Sequence, residues 1–229
     1  MTEPVSFSLL TCRDLIQSIV AAVDARDAYT AHHSDRVAAM AVVLARVLHL
    51  SEDDTTTVQV AAFAHDIGKI SMSDAVLRKA GPLTDAEREE MRRCPVTGYD
   101  ILRKVPQFQR VALIVRHHHE RWDGRGYPDQ LAGTAIPLGA RIIAVADSID
   151  AMMSNRSYRP AMTATVCHHE IEKNSGVMYD PQVVAAAINC WDELVSRYTE
   201  VETPPTPYFD RLQLEHTRQA HDYLLAVKV

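Results

Sequence analysis

The chain has 229 residues, 47% hydrophobic and 24% charged, with only 8 Gly and 11 Pro, which suits one large domain with a short appendage and excludes a low-complexity chain. Its 24 Lys and Arg against 30 Asp and Glu give a net charge of −6, which excludes a protein whose whole surface grips nucleic acid or an anionic membrane. No run of about 18 apolar residues predicts a transmembrane helix, and four cysteines without a C-x-x-C pair are typical of the reducing cytoplasm rather than of a disulfide framework.

Helical periodicity organises the first half of the chain. Apolar residues recur at helical spacing over 15–23 and 37–48, which predicts two amphipathic helices. The same pattern predicts a third helix that brings His65 and Asp66 to its C-terminus, with Gly68 placed to end it.

Capping signals mark where two of the helices begin. Ser51, followed by acidic residues, is predicted to start the third helix. Thr84 with Glu87 three residues later resembles a capping box, which opens a helix that stops by Pro95. A further helix is predicted over 98–105.

The second half is also predicted to be helical, around one long loop. A helix over 109–120 is followed by the stretch 122–138, which holds five Gly or Pro and predicts an irregular loop. The apolar residues of 140–147 also fit a buried strand, but the apolar period continues beyond them and favours a helix over 140–153. Another helix is predicted over 181–195, with Pro at its first position.

These elements predict an all-α fold in three segments. Residues 1–13 are expected to form an N-terminal extension too short for a receiver or sensor domain, and 14–199 to form the main domain. Residues 200–229 are expected to combine a proline-containing linker over 200–207 with an amphipathic helix over 210–225. That last helix could dock on its own domain or on a second copy in a homodimer.

Several polar residues near these helix ends fit a metal or phosphate site. On a helix His65 and Asp66 diverge by about 100°, which suits a carboxylate that bridges two metals while the imidazole binds one; a polar helix end at the surface is the alternative. Lys69 follows one turn later, so its charge could share a phosphate with the metals. His33 and Arg36 stand three residues apart, a spacing that also fits an exposed helix face.

A second set of polar residues surrounds the long loop. His118 and His119 stand at a predicted helix end beside the Gly-rich run 123–128, where backbone N–H groups could meet an anion; a solvated surface is the alternative. Asp147 and Asp150 lie three apart on one helical face, so one could bind a metal while the other supports it or contacts a substrate.

Taken in order along the chain, these motifs resemble the HD-GYP family, a branch of the HD phosphohydrolases. The resemblance covers about residues 14–191. It rests on the series His33-Ser34-Asp35-Arg36-Val37, His65-Asp66-Ile67-Gly68-Lys69, His118-His119-Glu120-Arg121-Trp122-Asp123-Gly124-Arg125-Gly126-Tyr127-Pro128, Ala140-Arg141-Ile142 with Asp147 and Asp150, Arg156-Ser157-Tyr158-Arg159, and Gly176 with Tyr179-Asp180-Pro181.

The resemblance implies an all-α HD-domain helical bundle with the HD-GYP extension, built around a di- or trinuclear iron or manganese site. It also implies hydrolysis of cyclic dinucleotides, chiefly cyclic di-GMP, to a linear dinucleotide or to GMP. The implied metal ligands are His33, His65 and Asp147 for the first metal, Asp66 as the bridge, and His118 and His119 for the second metal.

Catalytic and substrate contacts are implied in the same way. The predicted catalytic residues are Asp66 and Lys69, and the predicted substrate-binding residues are Lys69, Gly126, Tyr127, Asp150, Arg156 and Arg159. Lys69 would neutralise the scissile phosphate, and Arg156 and Arg159 would grip the other phosphate or a guanine, because a guanidinium makes planar, multidentate contacts. The GYP loop over 126–128 would shape the pocket and could bind a signalling protein.

Two positions depart from the family pattern. Cys94 stands where the family has a histidine ligand of the second metal; as a thiolate it could still bind, with a preference for zinc or iron, or it could be an inert buried thiol beside a weakened site. Tyr29 stands where trinuclear members have a glutamate, which favours a binuclear site. Iron or manganese is expected, and other divalent ions are compatible with the same ligands.

The leading prediction is therefore a cytoplasmic, metal-dependent cyclic di-GMP phosphodiesterase without a nucleic-acid or membrane partner. One alternative is a catalytically weakened module that binds a cyclic dinucleotide, or docks a signalling protein, without turnover. A second alternative is a phosphodiesterase for another cyclic dinucleotide.

Overall fold

The computed structural model describes residues 32–79, 81–155 and 160–202, together with residues 16, 19, 20, 22, 23 and 26. The α-helices in these ranges are α1 (His33–Val47), α2 (Glu52–Ala64), α3 (Asp74–Leu77), α4 (Asp85–Arg92), α5 (Cys94–Leu102), α6 (Gln109–His117), α7 (Leu138–Met153), α8 (Ala164–Lys173), α9 (Pro181–Asn189) and α10 (Trp191–Glu202). Short 3-10 helices span Ile67–Ser71, Pro106–Phe108 and Gly133–Ala135. Over the same ranges the only extended pairing is an isolated bridge between Ser175 and Tyr179, so the all-α prediction is confirmed.

Helix α2 lies at the centre of the bundle. Every residue from Val60 to Ala64 is buried, which is typical of a core helix rather than of an amphipathic surface helix. The helix packs against α1, α6 and α7. Burial continues beyond its end through Gly68, so the residues that follow α2 are held in the interior.

Both predicted capping signals are confirmed. The Ser51 hydroxyl accepts a hydrogen bond from the Asp54 N–H at 3.1 Å at the start of α2. At the start of α4 the Thr84 hydroxyl accepts from the Glu87 N–H at 3.3 Å, and the Glu87 carboxylate accepts from the Thr84 N–H at 2.7 Å. This reciprocal pair is a complete capping box.

The role predicted for Gly68 is wrong. Helix α2 ends at Ala64, and Gly68 lies inside the following 3-10 helix. A Cβ on Gly68 would stand 2.0 Å from the carbonyl oxygen of Cys94. Glycine is therefore needed here because the 3-10 helix lies directly against the start of α5.

Two other predicted helix boundaries are also wrong. The helix expected from residue 98 begins at Cys94, since Pro95 occupies a first-turn position that needs no N–H. The single helix expected over 181–195 is two helices, because the backbone leaves the helical conformation at Cys190 (φ −116°, ψ 26°). Apolar periodicity runs across that break and gives no sign of it.

The long loop and the helix after it match their predictions. The loop reaches Pro137 with only a short 3-10 helix inside it, and α7 then follows as a helix rather than a strand. Near the start of the loop, the N–H groups of Trp122 and Asp123 donate to the carbonyls of Met178 and Val177 at 3.1 and 3.0 Å. These bonds fasten the loop to the turn before α9.

In the described part of the chain, no helix is long and apolar enough to cross a bilayer. Helix α10 runs to Glu202, past the domain boundary predicted at residue 199. The rest of the predicted linker, the helix predicted over 210–225 and the extension 1–13 lie outside the described residues.

Candidate metal centre

Three histidine rings meet where three helices begin or end. His33 is the first residue of α1, His65 follows the last residue of α2, and His118 follows the last residue of α6. The ring centroids of His33 and His65 are 5.1 Å apart, and those of His65 and His118 are 5.2 Å apart. All three side chains are buried, so the fold gathers them from distant parts of the chain into one interior cluster.

Each ring in this cluster is oriented through its Nδ1 atom. The Nδ1 atoms lie within hydrogen-bond distance of Asp150 Oδ2 at 2.6 Å for His33, of the Ala62 carbonyl at 2.7 Å for His65, and of the Val115 carbonyl at 2.6 Å for His118. An acceptor at Nδ1 fixes the neutral tautomer with its proton there and leaves the Nε2 lone pair available. Metal-binding histidines have this arrangement.

Two carboxylates point into the same space. The Nε2 atoms of His33 and His65 are 3.2 Å apart. Asp66 Oδ2 lies 3.6 Å from the first of these nitrogens and 3.4 Å from the second, and Asp147 Oδ1 lies 3.5 Å from His33 Nε2. Imidazole nitrogens and carboxylate oxygens in such proximity suit a divalent transition metal, and His33, His65 and Asp66 are close enough together to share one ion.

His118 presents an unsatisfied atom beside this group. Among the described residues its Nε2 is buried and has no hydrogen-bond partner, a state that costs about 1–3 kcal/mol for a polar group. The ring of His119 lies 4.0 Å from the ring of His118. A buried lone pair that no protein group satisfies is what a metal ligand requires, so the residues present fit a metal centre.

The pKa shifts of Asp66 and His118 also suit a cation. Burial acts to raise the pKa of Asp66, but the charges of Lys69 and His65 outweigh it and hold that pKa well below its usual range. Burial, together with the neighbouring His119, lowers the pKa of His118 well below its usual value. For His33 burial acts to lower the pKa, yet the hydrogen bond to Asp150 and the charge of Asp147 raise it overall. Asp66 is therefore an anion and His118 a neutral base at neutral pH.

Asp150 lies behind the cluster, where it supports His33. Its side chain is 2% exposed, one oxygen faces His33 Nδ1, and the other accepts from Arg36 Nε at 2.5 Å. Burial acts to raise the pKa of Asp150, and the hydrogen bonds from His33 and Arg36 lower it overall. A carboxylate so enclosed does not fit the substrate contact predicted for Asp150; it orients the imidazole of His33 instead.

Lys69 and the GYP loop border the cluster. Lys69 Nζ lies 2.7 Å from Asp66 Oδ2. A Cβ on Gly126 would stand 2.3 Å from the backbone nitrogen of Arg121, so only glycine allows the loop to fold back against the backbone that follows α6. The Tyr127 N–H donates to the His119 carbonyl at 3.3 Å, and the two rings are 5.0 Å apart. The loop thus forms a wall beside His119.

Cys94 is buried at the start of α5 and is 3% exposed. Burial, followed by the charge of Asp66, raises the pKa of its thiol to about 12. The thiol is thus neutral at physiological pH when no metal is bound. The carbonyl of Cys94 lies against Gly68, two residues after Asp66, while the role of Cys94 as a ligand stays a prediction.

Comparison with known proteins identifies the family of the chain. The model of the HD domain family matches residues 11–183. The chain belongs to the HD domain family. The resemblance to its HD-GYP branch is confirmed by curated relatives of this HD domain that are named as cyclic dinucleotide phosphodiesterases.

Three curated relatives show how much of each protein is shared. The cyclic di-GMP phosphodiesterase response regulator RpfG of Xanthomonas campestris is 41% identical over 77% of this chain and 47% of its own length. A cyclic di-GMP phosphodiesterase of Thermotoga maritima is 40% identical over 80% of this chain and 50% of its own. A 3′3′-cGAMP-specific phosphodiesterase of Vibrio cholerae is 36% identical over 86% and 43%. The chain spans about half the length of these relatives.

Solved structures share the fold of this HD domain. A cyclic GMP-AMP specific phosphodiesterase of V. cholerae superposes with a TM-score of 0.63 at 22% identity, covering 88% of this chain and 53% of that one. An HDG"Y"P protein from Bdellovibrio bacteriovorus gives a TM-score of 0.61 at 16% identity over 80% and 63%. These likenesses establish the helical architecture.

Some residues predicted for this HD domain lie beyond what the structure describes, and the sequence left the role of one other residue open. Arg156, Arg159 and Tyr29 are outside the described residues. Arg36, which is absent from the predicted site, is 5% exposed and bound to Asp150. Its spacing of three residues from His33 was the available signal, and only tertiary contacts distinguish it from an exposed arginine.

Proposed function

We propose that the chain is a metal-dependent phosphodiesterase that hydrolyses cyclic dinucleotides, chiefly cyclic di-GMP, to a linear dinucleotide or to GMP. The observation that carries the proposal is the convergence of His33 Nε2 and His65 Nε2 with the carboxylates of Asp66 and Asp147, beside the unsatisfied Nε2 of His118. The names of the relatives supply the substrate class.

In the proposed centre the residues carry a binuclear pair of divalent ions, iron or manganese. The proposed ligands are His33, His65 and Asp147 for the first ion, Asp66 as the bridge, and His118 and His119 for the second. When bound, such a pair supplies a water of lowered pKa and stabilises the attacking and leaving oxygens of an in-line displacement.

The protein's own groups prepare the site for this chemistry. Asp150 holds the proton of His33 on Nδ1, and Asp66 stays anionic because Lys69 and His65 keep its pKa low. Lys69 Nζ, 2.7 Å from Asp66, is proposed to turn its charge toward the scissile phosphate, where negative charge grows in the transition state.

Substrate recognition is proposed for two arginines outside the described residues and for the GYP loop beside the cluster. Arg156 and Arg159 are proposed to grip the second phosphate or a guanine with their planar guanidinium groups. Gly126 and Tyr127 are proposed to form the pocket wall beside His119. The same loop is the proposed docking point for a signalling protein, and Arg125 directly before it has a side chain that is 83% exposed; a homodimer remains a prediction.

The direct test is turnover of cyclic di-GMP by the purified chain, prepared without oxygen and supplied with ferrous or manganous ions. Products are separated by chromatography, and His65→Ala is the control because it removes a proposed ligand. Metal-dependent formation of linear dinucleotide or GMP by the wild type alone supports the proposal. Equal turnover by His65→Ala, or full metal content in that variant, contradicts it.

Cys94 favours a second candidate, a module that binds a cyclic dinucleotide without turnover. Its pKa of about 12 means that binding a metal there requires loss of a tightly held proton. Cys94→His restores the residue that the family resemblance leads us to expect. Binding of cyclic di-GMP by the wild type without product, together with turnover by Cys94→His, supports this second candidate. Equal metal content and activity in both proteins favours the enzyme.

The names of two V. cholerae relatives favour a third candidate, an enzyme for a mixed-base cyclic dinucleotide. These 3′3′-cGAMP-specific phosphodiesterases are 35% and 36% identical to the chain, close to the identity of several cyclic di-GMP phosphodiesterases. Relative kcat/KM for cyclic di-GMP, 3′3′-cGAMP and cyclic di-AMP decides between them.

A further inference from the structure

Tyr198 on helix α10 contacts the part of the molecule that supports His33. Its side chain is buried, with 5% of the residue exposed. Its hydroxyl donates to the Met153 carbonyl at 2.8 Å, at the last residue of α7, and the Arg36 guanidinium lies 5.2 Å from the centre of its ring. One aromatic side chain thus touches both the helix that carries Asp147 and Asp150 and the arginine that binds Asp150.

Polar contacts connect Tyr198 to the metal centre. Ser154 Oγ lies 3.3 Å from the Tyr198 hydroxyl and 3.3 Å from Arg36 Nη2. Arg36 donates to Asp150, and Asp150 in turn faces Nδ1 of His33 at 2.6 Å. A series of short contacts therefore runs from α10 to a proposed metal ligand.

We infer that Tyr198 is a positioning residue for the metal centre, which it acts on by holding Arg36 and the end of α7 so that Asp150 orients His33. The inference rests on the proposed metal centre and extends it to a helix that none of the motifs includes. Partners that hold a metal ligand from behind typically change metal affinity by about 10–100-fold. Tyr198 acts at least one contact further out, so a smaller effect is expected.

The test is the affinity of the full chain for Mn²⁺, measured from the signal of free Mn²⁺ in electron paramagnetic resonance. Tyr198→Phe removes the hydroxyl and keeps the ring over Arg36, and it should weaken binding about threefold to tenfold, below the range for direct partners. Ser154→Ala should act in the same direction. The loss of affinity in the double variant should be smaller than the sum of the two separate losses, because both residues act through one network. Turnover lost through Tyr198→Phe should return at saturating Mn²⁺.

Tyr99→Phe is the matched control. Tyr99 also packs beside arginines, 5.6 Å from Arg103 and 5.2 Å from Arg116, which pair with Asp100 and Asp129. It should bind Mn²⁺ as the wild type does. Unchanged affinity in folded Tyr198→Phe and Ser154→Ala, or equal weakening in Tyr99→Phe, overturns the inference and leaves the proposed function standing. A wild type that binds no Mn²⁺ overturns both.

Discussion

The adjacent residues His117 and His118 belong to two clusters that differ in whether both ring nitrogens have protein partners. His117 uses both ring nitrogens: Nδ1 lies 2.8 Å from the Leu113 carbonyl and Nε2 lies 3.0 Å from Asp129 Oδ2. His118 uses only Nδ1, and its buried Nε2 has no partner in the described structure. Both rings are buried, so burial alone does not separate them.

The difference lies in what surrounds each ring. In the cluster around Asp129, the carboxylate also accepts two bonds from Arg116, at 2.7 and 2.8 Å, so protein groups face His117 on both sides and the charge of Asp129 is paired. In the metal cluster, the nitrogens that remain free face each other and the carboxylates. Both nitrogens of His117 therefore have protein partners, whereas the free Nε2 of His118 fits a cation.

Replacing each histidine by leucine should give the largest effects on Mn²⁺ affinity and stability. His118→Leu should lower Mn²⁺ affinity by about 100-fold or more, because it removes a proposed ligand. Loss of a residue that only hydrogen-bonds a ligand typically costs about 10–100-fold. Without metal, His118→Leu should cost about 1 kcal/mol of unfolding free energy or less, because it removes an unsatisfied nitrogen while the Val115 carbonyl loses its partner. His117→Leu should keep Mn²⁺ affinity and lose about 1–3 kcal/mol of unfolding free energy, since Asp129 and a carbonyl lose a partner.

Mn²⁺ titration and urea unfolding of the metal-free proteins measure these two quantities. The opposite pattern, with metal lost in His117→Leu and kept in His118→Leu, contradicts the contrast and the proposed ligand together.

The clusters also show where sequence reasoning succeeds and where it stops. Local signals such as Thr84 with Glu87 are complete within a few residues, so the capping box was predictable. The start of α5 at Cys94 was missed because Pro95 was interpreted as a helix end, although proline also fits a first-turn position. The break at Cys190 was missed because the apolar period runs across it.

For the site, the ordered motifs placed His33, His65 and Asp66 in one cluster. The pairing of Asp150 with Arg36 was not predictable, since it joins residues 114 positions apart through the packing of α7 on α1. Spacing indicated two carboxylates on one face of α7, but only the fold shows that one is enclosed behind His33 while the other faces the centre.

Asp150 and Asp129 provide the next comparison, between a buried and a half-exposed carboxylate. Asp150→Asn should weaken Mn²⁺ binding about 10-fold to 100-fold, because the negative charge that orients His33 is lost. It should also destabilise the fold by about 3 kcal/mol, because Arg36 is left buried without its anion. Asp129 is 35% exposed, so Asp129→Asn should cost under about 1 kcal/mol and leave Mn²⁺ binding unchanged. Equal losses of Mn²⁺ affinity and of unfolding free energy in the two variants would show that burial of the carboxylate does not determine its contribution.

Gly126 lies between the clusters and tests whether the loop supports both. A Cβ there would stand 2.3 Å from the Arg121 nitrogen and 2.4 Å from the Glu120 Cα, which are backbone atoms that cannot turn aside. Gly126→Ala should therefore destabilise the protein by about 1–3 kcal/mol, as overpacking does. A Cβ on Gly81 would meet nothing within 4 Å, so Gly81→Ala is the neutral control. A Gly126→Ala protein as stable as Gly81→Ala means that the loop is free to move away from α6.

The smallest effect expected is the pH dependence of the Asp129 contribution. The hydrogen bond from Arg116 lowers the pKa of Asp129 despite some burial, so the folded state holds this carboxylate ionised at pH values where the unfolded chain begins to take up a proton. Its stabilising contribution should be complete above about pH 5, since an unperturbed aspartate has a pKa of about 3.9, and should disappear as the pH falls through the lowered value. Urea unfolding at several pH values should therefore show the wild type and Asp129→Asn converging in acid. A difference in unfolding free energy that stays constant down to the lowest pH would mean that Asp129 stabilises the fold through hydrogen bonds that do not depend on its charge. The pairing of charge between Asp129 and Arg116 would then not explain how this cluster differs from the metal cluster.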